Sequence, residues 1–249
     1  MKIAVISPKC TSESANYIAQ SLTSLLPEHE VVYFNPYQER KRGVDFFINY
    51  GCSGYTEEEK PFINKPTAVA KAVNKLTTLS LVKNGVTHTT NFIKAKEWIV
   101  KGKQVVCRKT ATGTRSEGIT IVSTEHELQD QIDCAFWTKY EPHHYELRIN
   151  CYKNKIISIL QKDTITDTQG ENVFSFKLLK GTPHEELQEM VNDVYEKIGL
   201  DICGLDVLLT HKNKFKLLEV NSGPMLFGVT GVHIVNAIKK DIDNYVNRN

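Results

Sequence analysis

Two carboxylates near the C-terminal end of the chain have the spacing of partners in a β-hairpin. Residues 204–209 and 216–221 are rich in aliphatic side chains and read as two strands. If Lys212 and Asn213 form a two-residue turn, Asp206 lies directly opposite Glu219. Carboxylates in that position repel each other. A hard cation bound between them would turn the repulsion into attraction.

The amide of Asn221 extends this pair to three oxygen-bearing side chains, because alternate residues of a strand share a face. Two carboxylates and an amide oxygen suit a magnesium ion that is shared with a phosphate. The alternative is a hairpin with a solvated polar face that binds no ligand. The opposite face is expected to be core, formed by Leu205, Val207, Leu209, Leu218 and Val220.

A loop rich in small residues at 110–118 is a second candidate for ligand binding, with Arg108 and Lys109 at its start. Free backbone N–H groups of small residues can bind phosphate oxygens, and a cation at the base of the loop can neutralise them. It is not a Walker loop, because it lacks Gly-Lys-Ser/Thr and no helix follows. A flexible turn between two strands is the alternative interpretation.

Other polar side chains have ordinary interpretations. Lys75 falls in an otherwise apolar helical pattern, where a lysine usually extends its ammonium group to solvent. His143 and His144 are expected in an exposed connector. No Ser–His or Cys–His arrangement suggests nucleophilic catalysis.

The composition is that of an ordinary globular protein. The chain has 249 residues, of which 41% are hydrophobic and 24% charged, and its formal net charge is +2. This length fits one large domain or two small ones, and the balanced charge does not indicate a nucleic-acid or membrane-surface binder. No stretch reaches the roughly 18 apolar residues of a membrane span, and the N-terminus lacks the apolar region of a signal peptide.

The six cysteines are scattered, with no Cys-x-x-Cys pair and no histidine at zinc spacing. Structural zinc and a secreted disulfide scaffold are therefore not expected. Free thiols in a chain of this length fit a reducing cytosol, so we expect a cytoplasmic protein.

Hydrophobic periodicity predicts an α/β (α+β) fold. The chain begins with strand, helix and strand, which is typical of a parallel sheet; the predicted elements are strands at 2–6, 31–34 and 45–50 and a helix at 15–26. In the middle we predict one helix that begins at Pro66 and stops at Asn84-Gly85, helices at 92–100 and 125–131, and strands at 104–108, 119–122 and 135–140. The last part is predicted to have strands at 147–152, 155–161, 203–209 and 215–220 and helices at 185–198 and 233–246.

Taken in chain order, these segments resemble the ATP-grasp superfamily from about residue 64 to residue 226. The resemblance rests on six motifs, which are Asn74-Lys75-Leu76, the loop between 105 and 119, the strand 136–140, Glu146-Leu147-Arg148, Gly204-Leu205-Asp206-Val207 and the stretch 218–224. The spacing is most similar to that of short ATP-grasp proteins encoded by bacteriophages. The lid departs from many members, since Arg115-Ser116-Glu117 stands where they carry adjacent glycines.

This resemblance implies an ATP-grasp fold with a short N-terminal open α/β (pre-ATP-grasp) domain. It divides the chain into a reduced pre-ATP-grasp domain at 1–65, a lid subdomain with its preceding helix at 66–140, and a C-terminal subdomain with the metal site at 141–249. The first domain is short for a ligase of this superfamily. The substrate pocket is therefore expected to be open, or completed by a second subunit in a homodimer.

The resemblance also implies roles for the polar side chains. The residues expected to bind ATP are Lys75, Arg108, Lys109, Thr114, Ser116, Lys139, Tyr140 and Glu146. Within this set, Lys139 and Tyr140 would present backbone groups to the adenine, and Glu146 would accept hydrogen bonds from the ribose. Arg108 and Lys109 are alternatives for the lid cation, with Arg108 preferred.

The remaining implied roles concern the reacting groups. Arg148 and Lys162 are the expected catalytic residues, lining the phosphate and acyl-phosphate region. Asp206, Glu219 and Asn221 are expected to hold one or two magnesium ions, with manganese as a substitute. Closure of the lid loop would keep water from the acyl phosphate.

The implied reaction is ATP-dependent ligation of a small-molecule carboxylate to an amine through an acyl phosphate, releasing ADP and phosphate. Two other functions stay open, a kinase-like phosphotransferase and a nucleotide-binding module without catalysis. The substrates stay open too, among them amino acids, small peptides and a modified base on nucleic acid, although the charge does not indicate nucleic-acid binding. No membrane partner is expected, and for a viral protein the location would be the host cytoplasm.

Overall fold

A computed structural model of the chain describes residues 1–9, 11–39, 41–55, 59–112, 118–166, 172–226 and 228–248. Within these ranges the strands form three sheets, of four, four and five strands. In chain order we call them the N-terminal sheet (β1–β4), the middle sheet (β5–β8) and the C-terminal sheet (β9–β13). The candidate site lies on the C-terminal sheet.

The N-terminal sheet is parallel, with the strand order β2-β1-β3-β4. Its elements are β1 (Lys2–Ile6), α1 (Glu13–Leu25), β2 (Glu30–Phe34), β3 (Phe46–Asn49) and β4 (Phe62–Ile63). Helix α1 begins where the hydroxyl of Ser12 accepts a hydrogen bond from the N–H of Ala15, a common helix cap. The predicted strand–helix–strand start is confirmed.

Two helices replace the single helix predicted from Pro66, and that prediction is wrong. They are α2 (Pro66–Val73) and α3 (Lys75–Leu81). The helix is interrupted at Asn74, whose backbone is extended and whose side chain accepts a hydrogen bond from the N–H of Thr77 at 3.0 Å. Asparagine is a strong helix cap because its side chain substitutes for a missing backbone acceptor. The break makes Lys75 the first residue of α3.

The middle sheet is antiparallel, with the strand order β5-β8-β6-β7. Its elements are β5 (His88–Thr89), α4 (Phe92–Val100), β6 (Val105–Arg108), β7 (Ile119–Val122), α5 (Glu125–Gln129) and β8 (Phe136–Lys139). Trp98 of α4 packs with Cys107 and Trp137 of the sheet in one buried cluster. The aromatic side chains of β8, Phe136 and Trp137, are therefore buried in the core.

The C-terminal sheet is antiparallel, with the strand order β11-β10-β9-β12-β13. Its strands are β9 (His143–Tyr152), β10 (Lys155–Thr166), β11 (Asn172–Leu178), β12 (Ile202–Thr210) and β13 (Phe215–Asn221). Strand β11 was not predicted. His143 and His144 begin β9 and do not lie in a connector, which corrects the sequence interpretation.

Helices cover the two faces of this sheet unequally. Helix α6 (Glu185–Ile198) and α2 pack on one face, where Val69, Ile149 and Val191 belong to the same buried cluster. Helix α7 (Gly228–Val246) and the N-terminal sheet cover only one end of the other face, around Tyr152 and Ile202. The rest of that second face carries the charged side chains described below.

The hairpin of β12 and β13 has the predicted pairing at Asp206 and Glu219, but its turn differs from the predicted one. Asp206 is paired with Glu219, as predicted. The turn comprises three residues, 211–213, with Asn213 at a φ of 54°, so the prediction of a two-residue turn is wrong. A β-bulge after Asp206 compensates for the extra turn residue. The bulge also moves Leu218 out of the predicted core face, into a cluster with Phe136 and Leu208.

Asn64 connects the N-terminal sheet to the strands of the site. It is fully buried, with a φ of 60°. Its amide nitrogen donates to the carbonyl oxygens of Ile202 at 2.9 Å and Ser222 at 3.3 Å, and its amide oxygen accepts from the N–H of Ile202 at 2.8 Å. One side chain thus fixes the start of β12 and the end of β13.

Replacing Asn64 by Ala is expected to lower the free energy of unfolding by about 2–4 kcal/mol. The change leaves buried backbone groups unpaired and places alanine at a left-handed backbone position. Urea unfolding measures the loss. The control is Asn192→Ala on the exposed side of α6, expected to cost about 0.5 kcal/mol or less. Similar losses for both variants would contradict the assigned role of Asn64.

The five cysteines that the structure describes are free and buried, in agreement with the expected thiols. Cys10 lies outside the described residues. Among the helices in the described ranges, none is both long and apolar enough to cross a membrane.

Candidate active site

Charged side chains form two neighbouring rows on the open face of the C-terminal sheet. In the first row Arg148 of β9 is paired with Asp206 of β12, which is paired with Glu219 of β13. In the second row Glu146 of β9 is paired with Lys162 of β10. The rows are adjacent because residues two apart in a strand share a face. The sheet thus brings together five of the predicted residues.

The carboxylate of Asp206 is buried and is held by Arg148. The Nη2 of Arg148 lies 2.9 Å from Oδ2 of Asp206, and its Nε donates to Oδ1, so the ion pair is bidentate. Burial raises the pKa of Asp206, and the nearby Glu219 raises it further, while Arg148 acts in the opposite direction. An additional cation would therefore stabilise the charged form of this carboxylate.

Glu219 is held by Lys75, which the break at Asn74 directs toward the sheet. The Nζ of Lys75 lies 2.8 Å from Oε2 of Glu219, and the amide nitrogen of Asn221 donates to Oε1 at 3.2 Å. Burial by itself would raise the pKa of Glu219, but Lys75 and the hydrogen bonds lower it well below its usual range. The ammonium group of Lys75 binds a carboxylate and is not simply extended to solvent, contrary to the ordinary interpretation.

Glu146 and Lys162 form an ion pair beside this row. The Nζ of Lys162 is also 3.9 Å from Oδ2 of Asp206, so Lys162 links the two rows. Its side chain is mostly buried. Such a cation adds to the positive potential above Asp206.

Arg108 and Lys109 differ in their surroundings at the end of β6. Arg108 is buried, and this burial lowers its pKa although the nearby Glu219 raises it. Its Nε is a buried donor without a hydrogen-bond partner among the described residues. Lys109 is exposed, and its aliphatic stem faces Gly118. Because an unpaired buried donor is costly, an anionic ligand beside Arg108 would satisfy a donor that the described residues leave unpaired.

The predicted adenine-binding residues lie at the end of β8. The N–H of Lys139 donates to the carbonyl of Thr87 at 2.8 Å, and that of Tyr140 donates to the carbonyl of Gln104 at 3.0 Å. Both N–H groups are thus used within the protein, so only the carbonyl oxygens of this pair could face a nucleotide. Thr114 and Ser116 lie outside the described residues.

Asp206, Glu219 and Asn221 fit a magnesium ion by the chemistry of their donors. Magnesium usually takes one or two carboxylates and completes its shell with phosphate oxygens and water. The part of the chain that the structure describes has no group of three or more His, Cys, Asp and Glu side chains placed to hold a metal, and two carboxylates with one amide leave much of the shell of a magnesium ion to other ligands. An ion here would therefore be shared with a phosphate, and Arg148 and Lys75 would yield part of their contacts to it.

Gly204 makes close packing possible at the edge of the site, a role that the sequence motif did not indicate. It is paired with Asn221 of β13. A Cβ atom at this position would lie 2.8 Å from Cβ of Pro224 and 3.1 Å from Cδ of Arg148. Neither contact is tolerated without a shift, so the glycine permits Arg148 to lie flat against the strand.

For the ATP-dependent reaction that the motifs imply, Gly204→Ala is expected to lower kcat by about tenfold to a hundredfold, because it displaces Arg148, an expected catalytic residue, and small misplacements of such a group have effects of that size. Steady-state ADP release measures it. Gly54→Ala is the matched control, since among the described residues a Cβ there meets Tyr37 alone, at an ordinary 3.7 Å. Unchanged kcat in Gly204→Ala, with the protein folded, would show that Arg148 has no positional requirement.

Comparison with known proteins gives one relative by sequence and many by structure. No family model matches the chain. Tetrahydromethanopterin:α-L-glutamate ligase of Methanocaldococcus jannaschii is 26% identical over 227 residues, which cover 83% of this chain and 77% of that protein. This similarity extends well beyond the segment with the ATP-grasp motifs.

Solved ATP-grasp ligases have the same fold. The ligase PsnB, in complex with a minimal precursor, matches with a TM-score of 0.73 and 12% identity over 96% of this chain and 98% of that one. The D-alanyl-alanine synthetase A of Vibrio cholerae matches with a TM-score of 0.64 and 18% identity, over 90% of this chain and 89% of that one. The macrocyclase MdnC of Microcystis aeruginosa, bound with precursor peptide MdnA, matches with a TM-score of 0.66 and 12% identity, over 95% of this chain and 99% of that one. The expected ATP-grasp fold is confirmed.

Proposed function

We propose that this protein is an ATP-dependent carboxylate–amine ligase that works through an acyl phosphate. The observation that carries the proposal is the facing pair Asp206 and Glu219, surrounded by the cations Lys75, Arg108, Arg148 and Lys162 on an ATP-grasp fold. The ligases among the similar proteins support it, since the relative from Methanocaldococcus jannaschii joins glutamate to tetrahydromethanopterin by its name.

The reaction has two bond-forming steps. A carboxylate oxygen of the first substrate attacks the γ-phosphorus of ATP, the bond from that phosphorus to the β–γ bridging oxygen breaks, and ADP leaves. The nitrogen of the amine then attacks the acyl carbon, the carbon–oxygen bond to phosphate breaks, and an amine proton passes to solvent. No side-chain nucleophile is required, so the protein contributes positioning and electrostatic stabilisation.

The side chains divide this work by position. Lys75 and Arg108 would neutralise the ATP phosphates, and Arg148 and Lys162 would stabilise the charge that develops on the transferred phosphoryl and acyl oxygens. Glu146 would bind the ribose, and the carbonyl groups at Lys139 and Tyr140 the adenine. Lys109, Thr114 and Ser116 of the lid would make further contacts with the ATP phosphates.

Asp206, Glu219 and Asn221 would hold magnesium, which supplies Lewis-acid neutralisation of the phosphate oxygens. Structures of PsnB with magnesium and ADP support this choice of cofactors. Manganese as a substitute belongs to the proposal as well, because it accepts the same oxygen ligands.

Several finer features of the proposal rest on the resemblance of motifs. They are an origin in a bacteriophage, a location in the cytoplasm (that of the host for a viral protein), and a homodimer that completes the substrate pocket. The division into 1–65, 66–140 and 141–249 belongs here too. The three sheets agree with three units, although α2 packs with the C-terminal sheet.

The decisive experiment measures ADP release with magnesium, ATP and pools of carboxylates and amines, supplied separately and together, with mass spectrometry of the products. A ligase forms an amide only when both pools are present. ADP release with a carboxylate or alcohol alone, giving a stable phosphorylated product, would instead assign a phosphotransferase. Nucleotide binding without turnover in any pool would favour a module without catalysis.

A further inference from the structure

Strand β11 turns its apolar side chains to the open face of the sheet. Phe174, Phe176 and Leu178 alternate along the strand and share one face, while Ser175 and Lys177 share the other. Lys177 lies on the face of the sheet where α6 packs, because it pairs with Gln161, which pairs with Leu147 of the buried cluster. Strand β11 therefore places polar side chains on the face that is core in β9. The exposed fraction is 39% for Phe174 and 50% for Leu178. We call Phe174, Phe176 and Leu178 the apolar strip.

The apolar strip borders the two cations nearest the edge of the site. The Nζ of Lys162 lies 4.3 Å from the ring centroid of Phe174, and the Cζ of Arg148 lies 5.8 Å from that of Phe176. Leu178 is paired with Leu160, which is in turn paired with Arg148. Positive charge and exposed apolar surface therefore adjoin along three neighbouring strands.

We propose that the apolar strip binds the apolar part of the carboxylate substrate, whose carboxylate lies at Arg148 and Lys162. The inference rests on the proposed function and names the class of acid: one with an aliphatic or aromatic side chain. Such a molecule matches both halves of the surface, since its charge meets the cations and its body covers the exposed Phe174 and Leu178 and the half-buried Phe176. A polar acid gains only the first contact.

The test supplies hydroxylamine as the amine, with ATP, magnesium and one of four acids: N-acetylglycine, N-acetylglutamine, N-acetylleucine or N-acetylphenylalanine. The nitrogen of hydroxylamine attacks the acyl phosphate, phosphate leaves, and a hydroxamate forms in an amount equal to the ADP released. We expect kcat/KM for the leucine and phenylalanine acids to exceed that for the glycine and glutamine acids by about tenfold or more, the lower end of the discrimination that an added apolar contact gives.

Leu178→Ser and Phe174→Ser should each reduce this preference by about fivefold to tenfold, through KM for the acid. Both positions are exposed on an edge strand, so the variants are expected to fold. The matched control is Val100→Ser at the end of α4, an exposed apolar residue (67% exposed) on the helix that packs against the opposite face of the middle sheet from Arg108, and it should leave the preference unchanged.

Three results would overturn the inference, and they differ from one another. Equal use of the glutamine and leucine acids would remove the apolar preference while the ligase function stands. A raised KM for ATP in the strip variants, with the preference intact, would assign the strip to the nucleotide or to a closing segment of the chain. Absence of hydroxamate from all four acids would count against the proposed function itself.

Discussion

Asp206→Asn is expected to reduce ATP-dependent turnover by about a hundredfold to a thousandfold, the usual loss when one preorganised charge contact to the transition state is removed. Asparagine fills the same space but contributes no negative charge to the shared cation. The loss should appear in kcat of ADP release at saturating ATP. Magnesium concentrations that saturate the wild type should not restore the lost kcat.

The control for this prediction is Asp130→Asn, an exposed carboxylate after α5. It changes the net charge equally and should leave kcat within about twofold of the wild type. Full activity of Asp206→Asn would mean that the facing carboxylates do not bind the reacting metal–phosphate group. Thermal unfolding of both variants shows whether the fold is intact.

Arg148→Met is expected to lose stability and activity together. Removing the guanidinium leaves Asp206 buried beside Glu219 without its bidentate partner, which costs about 3–5 kcal/mol in comparable ion pairs. The pKa of Asp206, already raised by burial, would rise further. Turnover should fall by about a hundredfold or more, because the cation that stabilises the acyl-phosphate oxygens is lost.

The double variant Arg148→Met, Asp206→Asn separates these two effects. It removes the uncompensated charge, so most of the lost unfolding free energy should return, while activity should stay as low as in either single variant. Urea unfolding and ADP release measure the two quantities. Additive destabilisation, with the double variant less stable than both single ones, would show that the pair is not coupled as the distances indicate.

The pairing of Asp206 with Glu219 could be predicted from the sequence, although its local basis could not. The alternation of aliphatic side chains defines the faces of both strands, and only one register places the carboxylates opposite each other. The three-residue turn and the β-bulge shift the pairing in opposite directions, so their effects cancel at Asp206. A periodic pattern does not reveal two compensating irregularities, and Leu218 was therefore placed on the wrong face.

The helix break at Asn74 illustrates a different limit. Apolar residues continue the helical period through the break, so periodicity predicted one helix. The signal was the asparagine itself, since its side chain caps α3 and directs Lys75 to Glu219. Strand β11 was missed although it carries an ordinary strand signal, since its apolar residues alternate with Ser175 and Lys177.

The central claim is that Asp206, Glu219 and Asn221 bind a divalent ion together with the ATP phosphates. Isothermal titration of a non-hydrolysable ATP analogue, with magnesium and then with EDTA, tests it in the wild type and in Glu219→Gln. The account predicts that EDTA weakens binding to the wild type by about tenfold or more, and that Glu219→Gln loses most of this dependence. Equal affinity with and without magnesium in the wild type would contradict it.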